Sequence, residues 1–180
     1  MRQRSRRALS LLLTLCMIAG FFPGGIVITA RAAENVSYLD ADGATQTAAS
    51  ATEVTSDSTA WESGWYVASG EVTIGSRVTV TGEVHLILAD GANLTATSGG
   101  INVGDGNSLT IYAQSTGNNM GALTATGGSY NAGIGGAGSY NSGSNAGNIT
   151  INGTANVTAT SAANGAGIGS GYAQYSGKNS

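Results

Sequence analysis

The feature that most constrains the fold is a repeat with a period of 34 residues late in the chain. Residues 123–126 (LTAT) recur as residues 157–160 (VTAT), and residues 132–135 (AGIG) recur unchanged as residues 166–169. A unit this short cannot bury an apolar face by itself, so its copies must stack on one another. The repeat therefore predicts an array of stacked units.

The stretch before the repeat consists of short β-branched or apolar runs separated by glycine-containing turns. Such runs are typical of strands, and no window has the periodicity of an amphipathic helix. The predicted strands are residues 65–67, 72–74, 78–80, 84–88, 94–97, 101–103 and 109–112. We therefore predict an all-β fold with a right-handed parallel β-helix (β-solenoid) over residues 61–180. The alternative is an antiparallel β-sandwich, which the Asp-Gly pairs at 90–91 and 105–106 favour as hairpin turns.

Residues 1–32 have the order of a cleavable secretory signal peptide. Four arginines precede the apolar run 8–20, Pro23 and two glycines break it, and small residues lead to Ala32. These breaks argue against an uncleaved anchor, because a spanning helix needs about 20 apolar residues in succession. We therefore expect export through the general secretory pathway, cleavage near Ala32, an extracellular or cell-wall location, and no membrane association after cleavage.

Removing this segment changes the charge of the chain. Arg77 and Lys178 then remain against ten acidic residues, which gives a net charge of −8, and the only cysteine, Cys16, is lost. So acidic a protein repels nucleic acid and anionic lipid, and both are excluded as partners. Without cysteine, disulfides and thiol chemistry are excluded as well.

The mature chain begins with a lead-in, residues 33–60, in which the turn 40–43 (DADG) predicts a β-hairpin. At the other end, the second repeat copy stops at Ser180, before an equivalent of the strand-forming run 148–151. A terminal repeat normally carries a distinct cap. We therefore expect a chain truncated within a repeat and followed by further modules. The alternative is a natural end with an unusual last turn.

Residues 106–177 contain no Asp, Glu, Lys, Arg or His. General acid–base catalysis needs a titratable group, so any active site would have to use residues from the set Glu71, Arg77, Glu83, His85, Asp90 and Asp105. His85 is predicted on the strand face opposite Val84 and Leu86, exposed or hydrogen-bonded at an edge. Residues 104–107 (GDGN) are a single copy, whereas calcium-binding Gly-Asp repeats come in tandem. We predict no catalytic residue, no cofactor and no metal site.

What remains is a neutral surface of Asn, Ser, Thr and Gly with aromatic residues. Aromatic faces stack on sugar rings, and amides bond to hydroxyls. The candidate ligand-binding residues are Trp61, Trp65, Tyr66, Tyr130, Tyr140, Tyr172 and Tyr175. For the first three, a cap over the first unit of the array is the competing interpretation. The Thr-x-Thr pairs, such as Thr124 and Thr126, suggest ice binding only weakly, because threonine is an ordinary outward residue of strands.

The order of several motifs resembles the Gly-rich extracellular proteins of gut Firmicutes that are often labelled carbohydrate-binding domain-containing or surface proteins. The motifs are residues 64–67 (GWYV), 71–74 (EVTI), 77–80 (RVTV), 84–91 (VHLILADG), 107–112 (NSLTIY) and the AGIG repeats. The resemblance implies a long secreted or wall-associated protein whose β-helical repeats precede other modules.

We therefore expect a secreted or cell-surface, non-catalytic module that binds a polysaccharide or host glycan, or acts in adhesion. One alternative is a structural stalk without a ligand. Another is the N-terminal part of a β-helical, polysaccharide-active enzyme.

Overall fold

The computed structural model describes residues 31–174; most of the predicted signal peptide, as well as Tyr175, lies outside this range. The described residues form strands and no helix, so the predicted all-β class is confirmed. The strands are β1 (Ala32–Leu39), β2 (Thr45–Glu53), β3 (Ala60–Trp61), β4 (Gly64–Ala68), β5 (Glu71–Thr73), β6 (Val78–Val80), β7 (Glu83–Leu88), β8 (Asn93–Ala96), β9 (Ile101–Asn102), β10 (Ser108–Ala113), β11 (Ala122–Gly127), β12 (Ile134–Gly135), β13 (Asn148–Ile151), β14 (Asn156–Ser161) and β15 (Ile168–Gly169).

The strands belong to three sheets. Sheet 1 has the order β1-β2-β4-β7-β10-β13, sheet 2 the order β14-β11-β8-β5, and sheet 3 the order β15-β12-β9-β6-β3. From β3 onward, consecutive strands enter sheets 3, 1 and 2 in constant rotation, and every ladder between named strands is parallel except β1 with β2. We call three consecutive strands a rung: β3–β5, β6–β8, β9–β11 and β12–β14 are rungs 1 to 4, and β15 follows rung 4.

The parallel pairing overturns the alternative of an antiparallel sandwich. Gly91 and Gly106 do adopt the positive φ that Asp-Gly turns favour, at 74° and 80°. However, the strands on either side of each turn belong to different sheets. The Asp-Gly pair determines only the local backbone conformation. The apolar side chains that the next strand buries determine which strand it pairs with.

One apolar core contains side chains from all three sheets. Along β7, Val84, Leu86 and Leu88 point into it and are fully buried. Equivalent side chains stack from rung to rung in register, as in the column Leu94, Leu123 and Val157. No polar or charged residue is buried within residues 31–174. The core is therefore apolar and continuous along the stack, and it is aliphatic apart from Trp61 and the partly buried Tyr66 in rung 1.

Strands β1 and β2 form an antiparallel hairpin within the predicted lead-in. The carboxylate of Asp40 accepts the backbone N–H groups of Asp42 and Ala44, at 3.0 and 2.9 Å, and so fixes the turn. Only the end of β2 pairs with β4. The rest of the hairpin folds over the outer face of the other strands of sheet 1, β4, β7 and β10. There Val36 and Ala48 contact Ile87 in a second apolar cluster.

Candidate functional site

The predicted ligand-binding residues fall into two groups in the structure. Trp61, Trp65 and Tyr66 belong to rung 1, whereas Tyr130, Tyr140 and Tyr172 lie on loops of the last rungs. Tyr175 lies outside the described residues. The two groups have different environments and are considered in turn.

Trp61 is completely buried and stacks on Tyr66, with ring centroids 5.6 Å apart. The hydroxyl of Tyr66 accepts the backbone N–H of Glu62 at 2.9 Å. Within residues 31–174, the indole N–H of Trp61 has no hydrogen-bond partner. Leaving a buried N–H unsatisfied costs about 1–3 kcal/mol, which the burial of a large ring must offset. Trp61 is therefore part of the core of rung 1, and the partly buried Tyr66 packs against that core.

Trp65 lies on the outer face of sheet 1, in a cluster with Tyr38, His85 and Tyr112. Its ring stacks on His85 at 4.4 Å and 19° and contacts Tyr38 at 4.7 Å. Tyr38, from the hairpin, also meets Tyr112 edge-on at 4.8 Å. The hairpin thus covers this group of rings, and Trp65 is a packing residue.

His85 lies opposite Val84 and Leu86 as predicted, but the side chain is only 21% exposed because the aromatic cluster covers it. Its Nδ1 shares a hydrogen bond of 3.0 Å with the hydroxyl of Tyr112, and Nε2 lies 3.4 Å from a carboxylate oxygen of Glu83. Burial raises the pKa of Tyr112. A histidine enclosed in this way holds the cluster together.

The second group forms what we call the tyrosine corner: Tyr130, Tyr140 and Tyr172. The rings of Tyr130 and Tyr172 are nearly parallel, with centroids 6.1 Å apart and planes at 10°. The backbone N–H of Tyr172 donates to the carbonyl of Tyr130 at 2.8 Å, and the Tyr130 hydroxyl donates to Oε1 of Gln174 at 3.1 Å. These bonds hold two loops that are distant in sequence side by side.

Tyr130 has a positive φ of 71°, which is uncommon for a residue with a bulky side chain. The repeat-equivalent residue, Asn164, has a φ of 63°, and asparagine tolerates this conformation well. The same turn therefore occurs in both copies of the repeat, with a tyrosine at residue 130 and an asparagine at residue 164.

A shallow cleft of about 290 Å³ lies in the same loop system, lined by Ala137, Gly138, Ser139, Ser142, Gly143 and Ser144. Tyr140 lies within this loop and is 50% exposed. Ser139 forms an isolated β-bridge with Ala173, the residue after Tyr172. The cleft loop therefore lies beside the segment that carries Tyr172. The N–H of Gly138 donates to Oδ1 of Asn131 at 2.9 Å, which ties the cleft to the Tyr130 turn.

The chemistry available at this corner is neutral. Residues 106–177 contain no Asp, Glu, Lys, Arg or His, so hydroxyls, amides, backbone groups and aromatic faces are the groups it can present. Within residues 31–174, no three His, Cys, Asp or Glu side chains are grouped to hold a metal ion. The corner suits recognition of an uncharged polar ligand.

The charged candidates lie elsewhere. Asp90 accepts the hydroxyl of Ser115 at 2.7 Å, and a carboxylate oxygen of Asp105 accepts the N–H of Gly106 in a turn. Arg77 is held by neutral groups: it donates to the carbonyl of Gly99 at 2.8 Å and to that of Gly136 at 3.3 Å. Burial lowers the pKa of Arg77. Asp90 and Arg77 thus join segments that are distant in sequence, whereas Asp105 acts within its own turn.

The sequence contains a weak signal that the outer face of sheet 1 is covered, which the strand predictions did not include. Ile87, between inward-pointing Leu86 and Leu88, breaks the alternation expected of a strand with one wet face. It indicates that something covers the outer face of sheet 1. The covering element is the hairpin that bears Tyr38. Its contact with sheet 1 joins residues distant in sequence, so no local sequence pattern predicts it.

In the part of the chain that the structure describes, no helix has the length and apolar character needed to cross a lipid bilayer. The chain has no significant match to any protein-family model, curated protein or solved structure.

Proposed function

We propose that this chain is a non-catalytic extracellular module that binds carbohydrate at the tyrosine corner. The observation that carries the proposal is the pair of parallel rings, Tyr130 and Tyr172, held on adjoining loops beside an open cleft lined by Ala, Gly and Ser residues. Sugars present apolar C–H faces and many hydroxyls. An exposed ring face next to fixed neutral hydrogen-bonding groups complements both.

The exposure of the residues supports this role. Tyr172 and Tyr140 are 43% and 50% exposed, whereas most other large apolar side chains of residues 31–174 are covered. Large exposed rings have an energetic cost in an unliganded protein and are common at binding surfaces. The serine hydroxyls at the cleft, Ser139 and Ser142, already form a small network and can accept or donate further bonds.

The wider setting of the proposal is a right-handed parallel β-helix that is secreted or displayed at the cell surface. The constant rotation of strands through three sheets, with side chains in register, supports the β-helix. The signal-like segment 1–32 and the resemblance to Gly-rich surface proteins of gut Firmicutes support the location. The acidic mature chain favours a neutral glycan over nucleic acid or anionic lipid as partner.

A structural stalk is a second candidate, and one observation favours it. On the outer face of sheet 2, Thr73, Thr95, Thr124 and Thr158 form a straight column in register. Such a regular polar face serves a spacer as well as a binding module, because solenoids are lengthened by adding rungs.

Binding to an array of plant, microbial and host polysaccharides tests the proposal and separates the two candidates. We expect binding to at least one neutral glycan, and about a twofold to tenfold loss of affinity in Tyr172→Ala, the effect of one aromatic contact worth about 0.5–1.5 kcal/mol. Tyr172→Phe keeps the ring and should keep most of the affinity. Tyr130→Asn is the matched change in the other loop, since asparagine occupies the equivalent turn at residue 164.

Thr158→Ala, on the outer face of sheet 2, is the control and should bind normally. If the wild-type chain binds no glycan, or if Tyr172→Ala binds as well as the wild type, the carbohydrate proposal is wrong and the stalk is favoured.

A further inference from the structure

The sequence Asn-Gly, which is especially prone to spontaneous deamidation, occurs at two places in the chain. Asn152-Gly153 follows β13, and Asn164-Gly165 follows β14. In this reaction the backbone nitrogen of the glycine attacks the side-chain carbonyl of the asparagine. Glycine permits the attack because it has no side chain to shield the nitrogen or to restrict the backbone. The structure gives the two pairs very different surroundings.

The backbone of Gly165 is held in place. Its N–H donates to the carbonyl of Ala163 at 2.8 Å and to Oγ of Ser161 at 3.1 Å. A Cβ on Gly165 would collide with the carbonyl oxygen of Asn131, so this backbone is packed closely against the first copy of the repeat. A nitrogen whose proton is engaged twice, on a backbone without room to rotate, is a poor nucleophile. The structure therefore protects Asn164.

The backbone of Gly153 is open. Gly153 is exposed, with a φ of 56°, and apart from its chain neighbours a Cβ there would meet one atom, the carbonyl oxygen of Asp40 at 4.0 Å. Within residues 31–174, the N–H of Gly153 has no hydrogen-bond partner. The turn is closed by a bond of 3.2 Å from the N–H of Ala155 to the carbonyl of Asn152. So lightly held a backbone can rotate until the Gly153 nitrogen reaches the Asn152 side chain.

We propose that Asn152 is a site of spontaneous deamidation in the folded protein and that Asn164 is not. The Gly153 nitrogen loses its proton to water or hydroxide and bonds to Cγ of Asn152. The bond between Cγ and Nδ2 then breaks, and the nitrogen leaves as ammonia after taking a proton from water. Water opens the resulting cyclic imide at either carbonyl, which gives aspartate or isoaspartate. The net change consumes water, releases ammonia and needs no oxidant or reductant.

The new carboxylate arises beside the turn of the β1–β2 hairpin. A Cβ on Gly153 would contact the carbonyl of Asp40, and the turn 40–43 already carries Asp40 and Asp42. Because the new charge has the same sign, it opposes the packing of this turn against rung 4. Deamidation therefore gives a chain whose hairpin opens more readily, and the fraction of such chains grows with the age of the protein.

Peptide mapping by mass spectrometry tests the site. The full 180-residue chain is incubated at mildly alkaline pH, where the glycine amide loses its proton more readily. We expect conversion at Asn152 to be at least about tenfold faster than at Asn164, because the Asn164 turn must first break two hydrogen bonds. In urea, where both turns are unfolded, the two sites should convert at similar rates.

Ser161→Ala is the matched variant, with its folding verified by far-UV circular dichroism. It removes one acceptor of the Gly165 N–H, so it should speed conversion at Asn164 severalfold and leave Asn152 unchanged. Equal rates at the two sites in the folded wild type overturn the proposal. So does an intact Asn152 in the folded chain under conditions that convert it in urea.

Hydrogen exchange tests the consequence for the hairpin. Asn152→Asp should make the amides of β1 exchange about twofold faster, the effect of one added like charge near the surface. Asn164→Asp adds the same charge on the loop after β14 and should leave β1 as protected as in the wild type. Equal protection of β1 in the two variants overturns the effect on the hairpin.

Discussion

The first rungs and the last rung of this protein use the same columns of side chains but differ in length and covering. In the column Val72, Leu94, Leu123 and Val157, successive members are 22, 29 and 34 residues apart. The extra residues lie in the loops, and the loops before, within and after rung 4 hold the tyrosine corner. The early rungs have short corners, an aromatic residue in the core and a hairpin over one face.

This difference shows that burial here depends on the neighbouring rung more than on the segment itself. Identical sequences, AGIG at 132–135 and at 166–169, give an isoleucine that is buried in the first copy and half-exposed in the second. In stacked repeats the stability is approximately a sum of intrinsic terms and interface terms between neighbours. Three sets of substitutions test this statement.

The largest effect is expected from one substitution made at two equivalent positions. Ile134→Ala should lower the free energy of unfolding by about 2–5 kcal/mol, because it leaves a cavity in a fully buried column. Ile168→Ala, in the same column, should cost less than half as much, since the side chain is already half in water. Urea unfolding measures both. Equal losses would contradict the comparison.

A smaller effect is expected where glycine lets rungs approach closely. A Cβ on Gly133 would lie 2.4 Å from the carbonyl oxygen of Thr160 and 2.7 Å from that of Gly167, both in the following rung or just after it. Gly133→Ala should therefore destabilise the protein by about 1–3 kcal/mol through overpacking.

Gly75→Ala is the matched control, since a Cβ there meets no atom within 4 Å. It should be neutral or stabilising by up to about 1 kcal/mol, because it restricts the unfolded chain. Thermal unfolding of the two variants gives the comparison. If Gly133→Ala is as stable as Gly75→Ala, then close contact between the last rungs is not the reason for glycine at position 133.

The smallest effect concerns the face that the hairpin covers. Tyr112→Phe should cost about 0.5–1.5 kcal/mol at neutral pH, the value of the hydrogen bond to His85. Burial raises the pKa of Tyr112, so its neutral form contributes stability that is complete below the unfolded-state pKa, near 10, and is lost as the pH rises through the higher folded-state pKa.

The unfolding midpoint should therefore fall more steeply above pH 10 in the wild type than in Tyr112→Phe. Chemical denaturation at pH 7 and at alkaline pH measures this. Parallel pH profiles would show that Tyr112 is not enclosed by the hairpin.

The local part of this fold could be predicted from sequence. Short β-branched runs gave strands within one or two residues of those observed, and the Asp40 turn gave a hairpin, because propensity and turn chemistry act over a few residues. The placement of the rings could not be predicted in this way. Trp61 was a candidate for ligand binding and is buried, since its environment is set by the core that closes around it.

The tyrosine corner was predicted residue by residue, but its assembly was not. Tyr130 and Tyr172 meet because the loops of successive rungs are brought into register by β12 and β15. That register is a consequence of the repeat, so the 34-residue period contained the information. The contacts of Arg77 with Gly99, Gly135 and Gly136 had no comparable signal in the sequence.

The Arg77 side chain has a consequence for how the protein is assembled in time. Its guanidinium joins Gly99, which follows it by 22 residues, to Gly135 and Gly136, which follow it by 58 and 59. Rungs 1 and 2 can therefore stack early, while the cation remains hydrated until rung 4 arrives and withdraws it from water.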